Sequence, residues 1–126
     1  MDLLHDDITS KIIKAFYNVY NKLGYGFLEK VYENSMMIEL RKQGLSVVKQ
    51  ETIKVFYEEE LVGSYYADIL VEDEVILELK AASSLTEKHE AQLLNYLKAT
   101  ELEVGLLLNS GTKPKFKRKI FHNHLK

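Results

Sequence analysis

A chain of 126 residues that is 46% hydrophobic and 29% charged has the size of one domain and too much apolar content for a disordered segment. It has no cysteine, which excludes a disulfide framework and any thiolate metal site, and no apolar run approaches the ~20 residues of a membrane-spanning helix. The formal net charge of -2 is uneven: residues 113–126 hold six cations and no acid, and the rest hold 11 basic and 19 acidic side chains, so the acidic body is a poor general polyanion binder and leaves a basic end for local contact.

The first element is predicted as a helix, because Ile8, Ile12, Ala15, Phe16, Val19 and Leu23 recur at helical spacing. Asp6 or Asp7 caps it, and Gly24 or Gly26 ends it. A second helix is expected from about Phe27 to Lys42, with Gly44 as its stop. Val47 to Tyr57 is rich in β-branched and aromatic residues and reads as a strand. Glu58-Glu59-Glu60 is a charged turn, Leu61 to Val71 a second strand with Gly63 a candidate bulge, and Glu72-Asp73-Glu74 a short turn into a third strand, Val75 to Ala81. Strands joined this tightly are antiparallel. Ser84-Leu85-Thr86-Glu87 has capping-box form and opens a helix from about Leu85 to Ala99. Val104 to Leu108 is a buried fourth strand. Phe116 to Phe121 fits a fifth strand or a helical turn. The order α-α-β-β-β-α-β, with that open end, predicts a single α+β domain over residues 1–126: one mixed sheet flanked by helices. The acidic N-terminus lacks the regions of a signal peptide, and a cytoplasmic location is expected.

Asp68 and Glu78-Leu79-Lys80 are the residues most suggestive of chemistry. Alternate strand residues share a face, so Glu78 and Lys80 project together. Opposed residues of an antiparallel pair also share a face. If Glu72, Asp73 and Glu74 form a three-residue loop, Val71 opposes Val75 and Asp68 opposes Glu78. A two-residue turn would separate the carboxylates. With the odd loop, Tyr66, Asp68, Leu70, Ile76, Glu78 and Lys80 share one face. Ala67, Ile69, Val71, Val75, Leu77, Leu79 and Ala81 form an apolar second face that must be core. Taken alone, such charges also suit an ordinary surface ion pair.

Two helical patterns join this hairpin. In Gly26-Phe27-Leu28-Glu29-Lys30-Val31-Tyr32, residues Glu29, Tyr32, Glu33 and Met36 share a stripe, with Glu29 at a helix N-terminus that favours a carboxylate. In Gln92-Leu93-Leu94-Asn95-Tyr96, Gln92 and Tyr96 stack one turn apart. The order G-x-x-E-x-x-Y, D, E-x-K, Q-x-x-x-Y, with Tyr66-Ala67-Asp68, His89-Glu90-Ala91-Gln92 and Gly105-Leu106-Leu107-Leu108-Asn109 around it, resembles the GxxExxY proteins of the PD-(D/E)XK nuclease superfamily from about Ile8 to Phe121.

That resemblance implies a restriction-endonuclease-like fold and a nuclease hydrolysing phosphodiesters of DNA, less readily RNA. It implies Mg²⁺ or Mn²⁺ on Asp68, Glu78, the Leu79 carbonyl and Glu29, in keeping with the preference of hard cations for oxygen. Lys80 would orient or help deprotonate the attacking water and steady the charge growing on phosphate, and Gln92 and Tyr96 would position Lys80 or a phosphate, with Tyr32 in support. Lys113, Lys115, Lys117, Arg118 and Lys119 are the expected nucleic-acid contacts, although a solvated terminus or an edge strand guarded by lysines has the same composition. A homodimer would reconcile the acidic body with a polyanionic substrate. The alternative is the same fold used as a nucleic-acid or protein interaction module with little or no catalysis.

Overall fold

The computed structural model describes residues 4–126. Two helices, α1 (Asp6–Leu23) and α2 (Glu29–Lys42), precede a meander of β1 (Val47–Tyr57), β2 (Glu60–Val71) and β3 (Val75–Lys80). Helix α3 (Glu87–Lys98) crosses to β4 (Val104–Ser110), and β5 (Pro114–Ile120) returns beside it, followed by a 3₁₀ turn at Asn123–Leu125. The five strands lie in sequence order, with β3 and β4 parallel and every other neighbouring pair antiparallel. The region from Phe116 that the sequence leaves open is strand.

The sheet is covered on both faces. Ile12, Ala15, Phe16 and Val19 of α1 and Tyr32, Met36 and Leu40 of α2 pack on Ile69, Val71, Val75, Leu77, Leu79, Leu106 and Leu108. On the opposite face, Leu93, Tyr96 and Leu97 of α3 pack on Ile53, Ala67, Leu70, Ile76 and Leu107. This explains why β3 and β4 are nearly continuous apolar runs, since a central strand with both faces covered has no solvated side. Among the described residues, no helix is long and apolar enough to cross a membrane.

The turn condition set by strand parity is met. Val71 pairs with Val75, leaving Glu72, Asp73 and Glu74 as a three-residue loop, with Glu72 and Asp73 both at φ 53°. Ser46 fixes that loop, its N–H donating to the Glu72 carboxylate at 2.6 Å. Ala67 departs from the expected pattern. It joins the α3 face with Leu70, whereas Ile69 and Val71 face α1 and α2. The period of two breaks at Asp68, opposite Gln50, which lies between the pairs Lys49 with Ile69 and Glu51 with Ala67 and has φ 57°. A left-handed, non-glycine residue inside a strand re-aims its neighbours and breaks the alternation.

The start of α3 also moves. The cap is Thr86, two residues beyond Ser84. Its hydroxyl accepts from the His89 N–H at 3.4 Å, and His89 Nδ1 accepts from the Thr86 N–H at 3.2 Å. A histidine here fills the reciprocal place that a capping box gives to Glu or Gln.

Candidate active site

The β2–β3 ladder pairs only Ile69–Val71 with Val75–Leu77, although β2 runs back to Glu60 and β3 on to Lys80. Beyond Leu77 the two strands keep other partners, β1 for β2 and β4 for β3. Asp68 and Glu78 stand where this fork opens. The Asp68 carboxylate fills it, accepting the Leu79 N–H at 2.7 Å. That bond satisfies a backbone donor that has lost its ladder partner.

Glu78 is 4% exposed. Burial, the neighbouring Asp68 charge and a hydrogen bond between the two carboxyls push it up to about 9, with the Lys80 ammonium only partly opposing them. At neutral pH Glu78 therefore favours its protonated form. Tyr96 of α3, 5% exposed, completes the wall. Its hydroxyl is pushed up to about 12, first by burial and then by the charges of Glu78 and Asp68, while a hydrogen bond from Gln92 pulls the other way. Gln92 and Tyr96 thus stand beside the carboxylate pair, on the face that Lys80 shares.

The segment just after Lys80 is tightly fixed. Asn109, paired with Lys80 across β3 and β4, accepts the Ala82 N–H at 2.9 Å and donates to the Ala82 carbonyl at 3.0 Å. Gly111 lets the β4–β5 loop come close, because a β-carbon there would lie 2.4 Å from the Ala82 carbonyl oxygen. The Tyr20 hydroxyl donates to the Gly111 carbonyl at 2.7 Å. The chain leaving the site is therefore tied on two sides, and Lys80 is held with it.

Glu29 stands apart from the fork. It is the first residue of α2, exposed, and lines a second cleft with Phe27, Ala81, Ser83 and Thr112. Tyr32 is wholly buried and sets this approach: its hydroxyl donates to the Gly24 carbonyl at 2.7 Å and accepts the Phe27 N–H at 3.4 Å. The loop it holds turns through Gly26 at φ 110°, a conformation that side chains rarely adopt.

The acid that α2 brings inward is Glu33, 4% exposed. It accepts from Gln50 Nε2 at 2.6 Å and pairs with Lys30 at 2.8 Å. Lys30 is raised by Glu33 first, and the Asp68 charge also reaches it. The left-handed turn at Gln50 is thus anchored to a buried carboxylate beside the fork. The sequence signal for Glu33 is its place on the Glu29–Tyr32 stripe; no local pattern marks Gln50.

The basic end is largely engaged. Lys119 and Lys117 reach Glu90 of α3 at 2.5 and 3.9 Å, and Arg118 donates to the Leu4 carbonyl. Lys113 and Lys115 are exposed beside a groove with Ser84 and Asn109. Lys115 opposes Asn109, which opposes Lys80, so this row crosses the sheet to the site.

Among the described residues, no group of three or more His, Asp or Glu side chains is arranged to hold a metal ion. The donor chemistry at the fork nevertheless fits a hard divalent cation. A buried carboxyl that favours its proton beside a second carboxylate offers oxygens that a cation can take in its place, and Mg²⁺ is commonly held through one or two carboxylates with water filling its other positions.

A family model described as the PD-(D/E)XK nuclease superfamily matches residues 6–120. No curated protein matches. Among solved structures, the one titled "Crystal structure of SSO0001" aligns with a TM-score of 0.59 at 13% identity over 74% of this chain. The match spans 50% of that protein's length, and at this identity the likeness concerns the fold alone.

Proposed function

We propose that this chain, which belongs to the PD-(D/E)XK nuclease superfamily, hydrolyses phosphodiester bonds of nucleic acid at the fork between β2 and β3. The observation that carries this reading is the Asp68 carboxylate set against the buried Glu78 where the β2–β3 ladder ends, two residues before Lys80 on the same strand. Burying Glu78 against a second, half-buried carboxylate is costly for the fold alone, and such costs concentrate at functional sites. Within the superfamily we place the chain among the GxxExxY proteins, on Gly26, Glu29 and Tyr32 together with the later motifs. We place that activity in one domain in the cytoplasm.

Asp68, Glu78 and the Leu79 carbonyl would hold Mg²⁺ or Mn²⁺, which when bound supplies Lewis-acid polarisation of the phosphate and a more acidic water. Lys80 orients the attacking water and steadies the charge growing on the phosphoryl oxygens. Gln92 and Tyr96 donate hydrogen bonds to a phosphate oxygen and keep bulk water from that side. Glu29, at the rim of its own cleft, acts through water. Lys113 and Lys115 meet the backbone of the substrate, DNA before RNA, and a second copy of the chain extends that surface.

One observation favours a non-catalytic nucleic-acid module: among the described residues no third carboxylate joins Asp68 and Glu78. Cleavage separates the two readings. Labelled single- and double-stranded DNA and RNA are incubated with the protein in Mg²⁺ or Mn²⁺, beside Asp68→Ala. Wild-type cleavage that requires the metal and is lost in the variant supports the nuclease. Silence on every substrate supports the module, and cleavage that persists in the variant belongs to a contaminant.

A further inference from the structure

The distal half of the β1–β2 hairpin and α3 line a groove of about 730 Å³. That volume lies in the range of small-ligand sites. Phe56 and Tyr65 on the hairpin side are 59% and 49% exposed, so both rings keep about half of their surface open to water. The α3 side presents Lys88, Gln92 and Asn95, and Lys98 at the far end sits over the Phe121 ring, 5.5 Å from its centre. Among the described residues no carboxylate lines the groove, although the body of the chain is acidic. Its inner end is Tyr96, whose ring lies 5.8 Å from that of Tyr65 and whose hydroxyl feels the charges of Asp68 and Glu78.

We infer that this groove binds single-stranded nucleic acid, with unpaired bases stacked on Tyr65 and Phe56 and the backbone running along Lys88 toward Asp68 and Glu78. The direction of the strand rests on the proposed nuclease site, but the binding itself does not. Exposed aromatic rings on one wall and cations on the other are the two features that sequence-independent single-strand binders combine. A paired base has no free face to offer such rings, so a duplex cannot use them. The acidic turn at Glu58 and Glu59 comes closely after Phe56 and repels phosphate, which keeps the backbone on the α3 side.

The test is binding without metal, so that no cleavage enters. Fluorescence anisotropy of labelled oligo-dT, oligo-rU and a duplex of equal length is measured in EDTA with wild type, Tyr65→Leu, Tyr65→Phe and Lys88→Glu. The single strands should bind more tightly than the duplex. Tyr65→Leu should weaken single-strand binding about tenfold, the loss of one stacked base, and Tyr65→Phe should restore it. Lys88→Glu should weaken it and flatten its salt dependence. The two oligomers decide between DNA and RNA. Duplex binding as tight as single-strand binding, or Tyr65→Leu binding like wild type with an unchanged melting temperature, overturns the inference. Tyr65-dependent binding by a protein that cleaves nothing leaves the groove standing and removes the nuclease.

Discussion

Replacing Glu78 with glutamine is expected to stabilise the metal-free protein at neutral pH while abolishing hydrolysis. The sign comes from the carboxyl pushed up to about 9 from 4.5. Below about pH 4.5 the folded and unfolded chains both hold the proton. Between about 4.5 and about 9 the unfolded chain releases it and the folded chain keeps it, so wild-type stability falls as pH rises, at most by about 1.4 kcal/mol per pH unit. Above about 9 the loss levels off. Glutamine cannot ionise in either state and can still donate to Asp68. At pH 7 the variant should therefore gain about 2–3 kcal/mol, or roughly 10 °C in melting temperature for a domain of this size. At pH 4 the two proteins should melt together. Thermal melts in EDTA across this range check the claim, and equal melting at pH 7 would mean that Glu78 is already ionised when folded.

Lys80→Ala is expected to cost cleavage about 10²–10³-fold, the usual cost of removing one donor aimed at developing charge. The loss should fall on kcat, with KM little changed, because Lys80 is assigned to the water and the developing charge rather than to substrate capture. A second effect has a definite direction. The Lys80 ammonium favours ionised Glu78, so its removal pushes Glu78 further up and moves the rising limb of the pH–rate profile to higher pH. A merely structural lysine would lower stability without moving that limb. Single-turnover rates across pH decide between these, and a loss under threefold with an unmoved profile would take Lys80 out of the chemistry.

Much of this arrangement is legible in the sequence because strand parity is local and strict. Three loop residues at Glu72-Asp73-Glu74 suffice to bring Asp68 and Glu78 to one face, and Val71 does pair with Val75. Helical spacing likewise places Gln92 and Tyr96 on one stripe. Parity fails at Ala67, because it assumes a regular strand through Asp68. The irregular backbone at Gln50 is held by a tertiary bond to Glu33 of α2, and contacts between distant segments leave no mark in a local pattern. Reading Ser84 as the cap of α3 misses for a smaller reason: Thr86 offers the same chemistry two residues later, with His89 in the reciprocal place. The basic end shows a further limit. Composition counts the lysines, but only packing reveals that Glu90 takes Lys117 and Lys119 and leaves Lys113 and Lys115 exposed beside the site row.

The proposed chemistry depends on Asp68 and Glu78 exchanging a stored proton for a divalent cation. Calorimetric titration of Mn²⁺ into the metal-free protein at pH 7, in two buffers with different ionisation heats, measures this directly. Saturable binding with release of about one proton is expected, and no binding to Asp68→Asn. Binding without proton release, or equal binding to Asp68→Asn, would contradict the exchange.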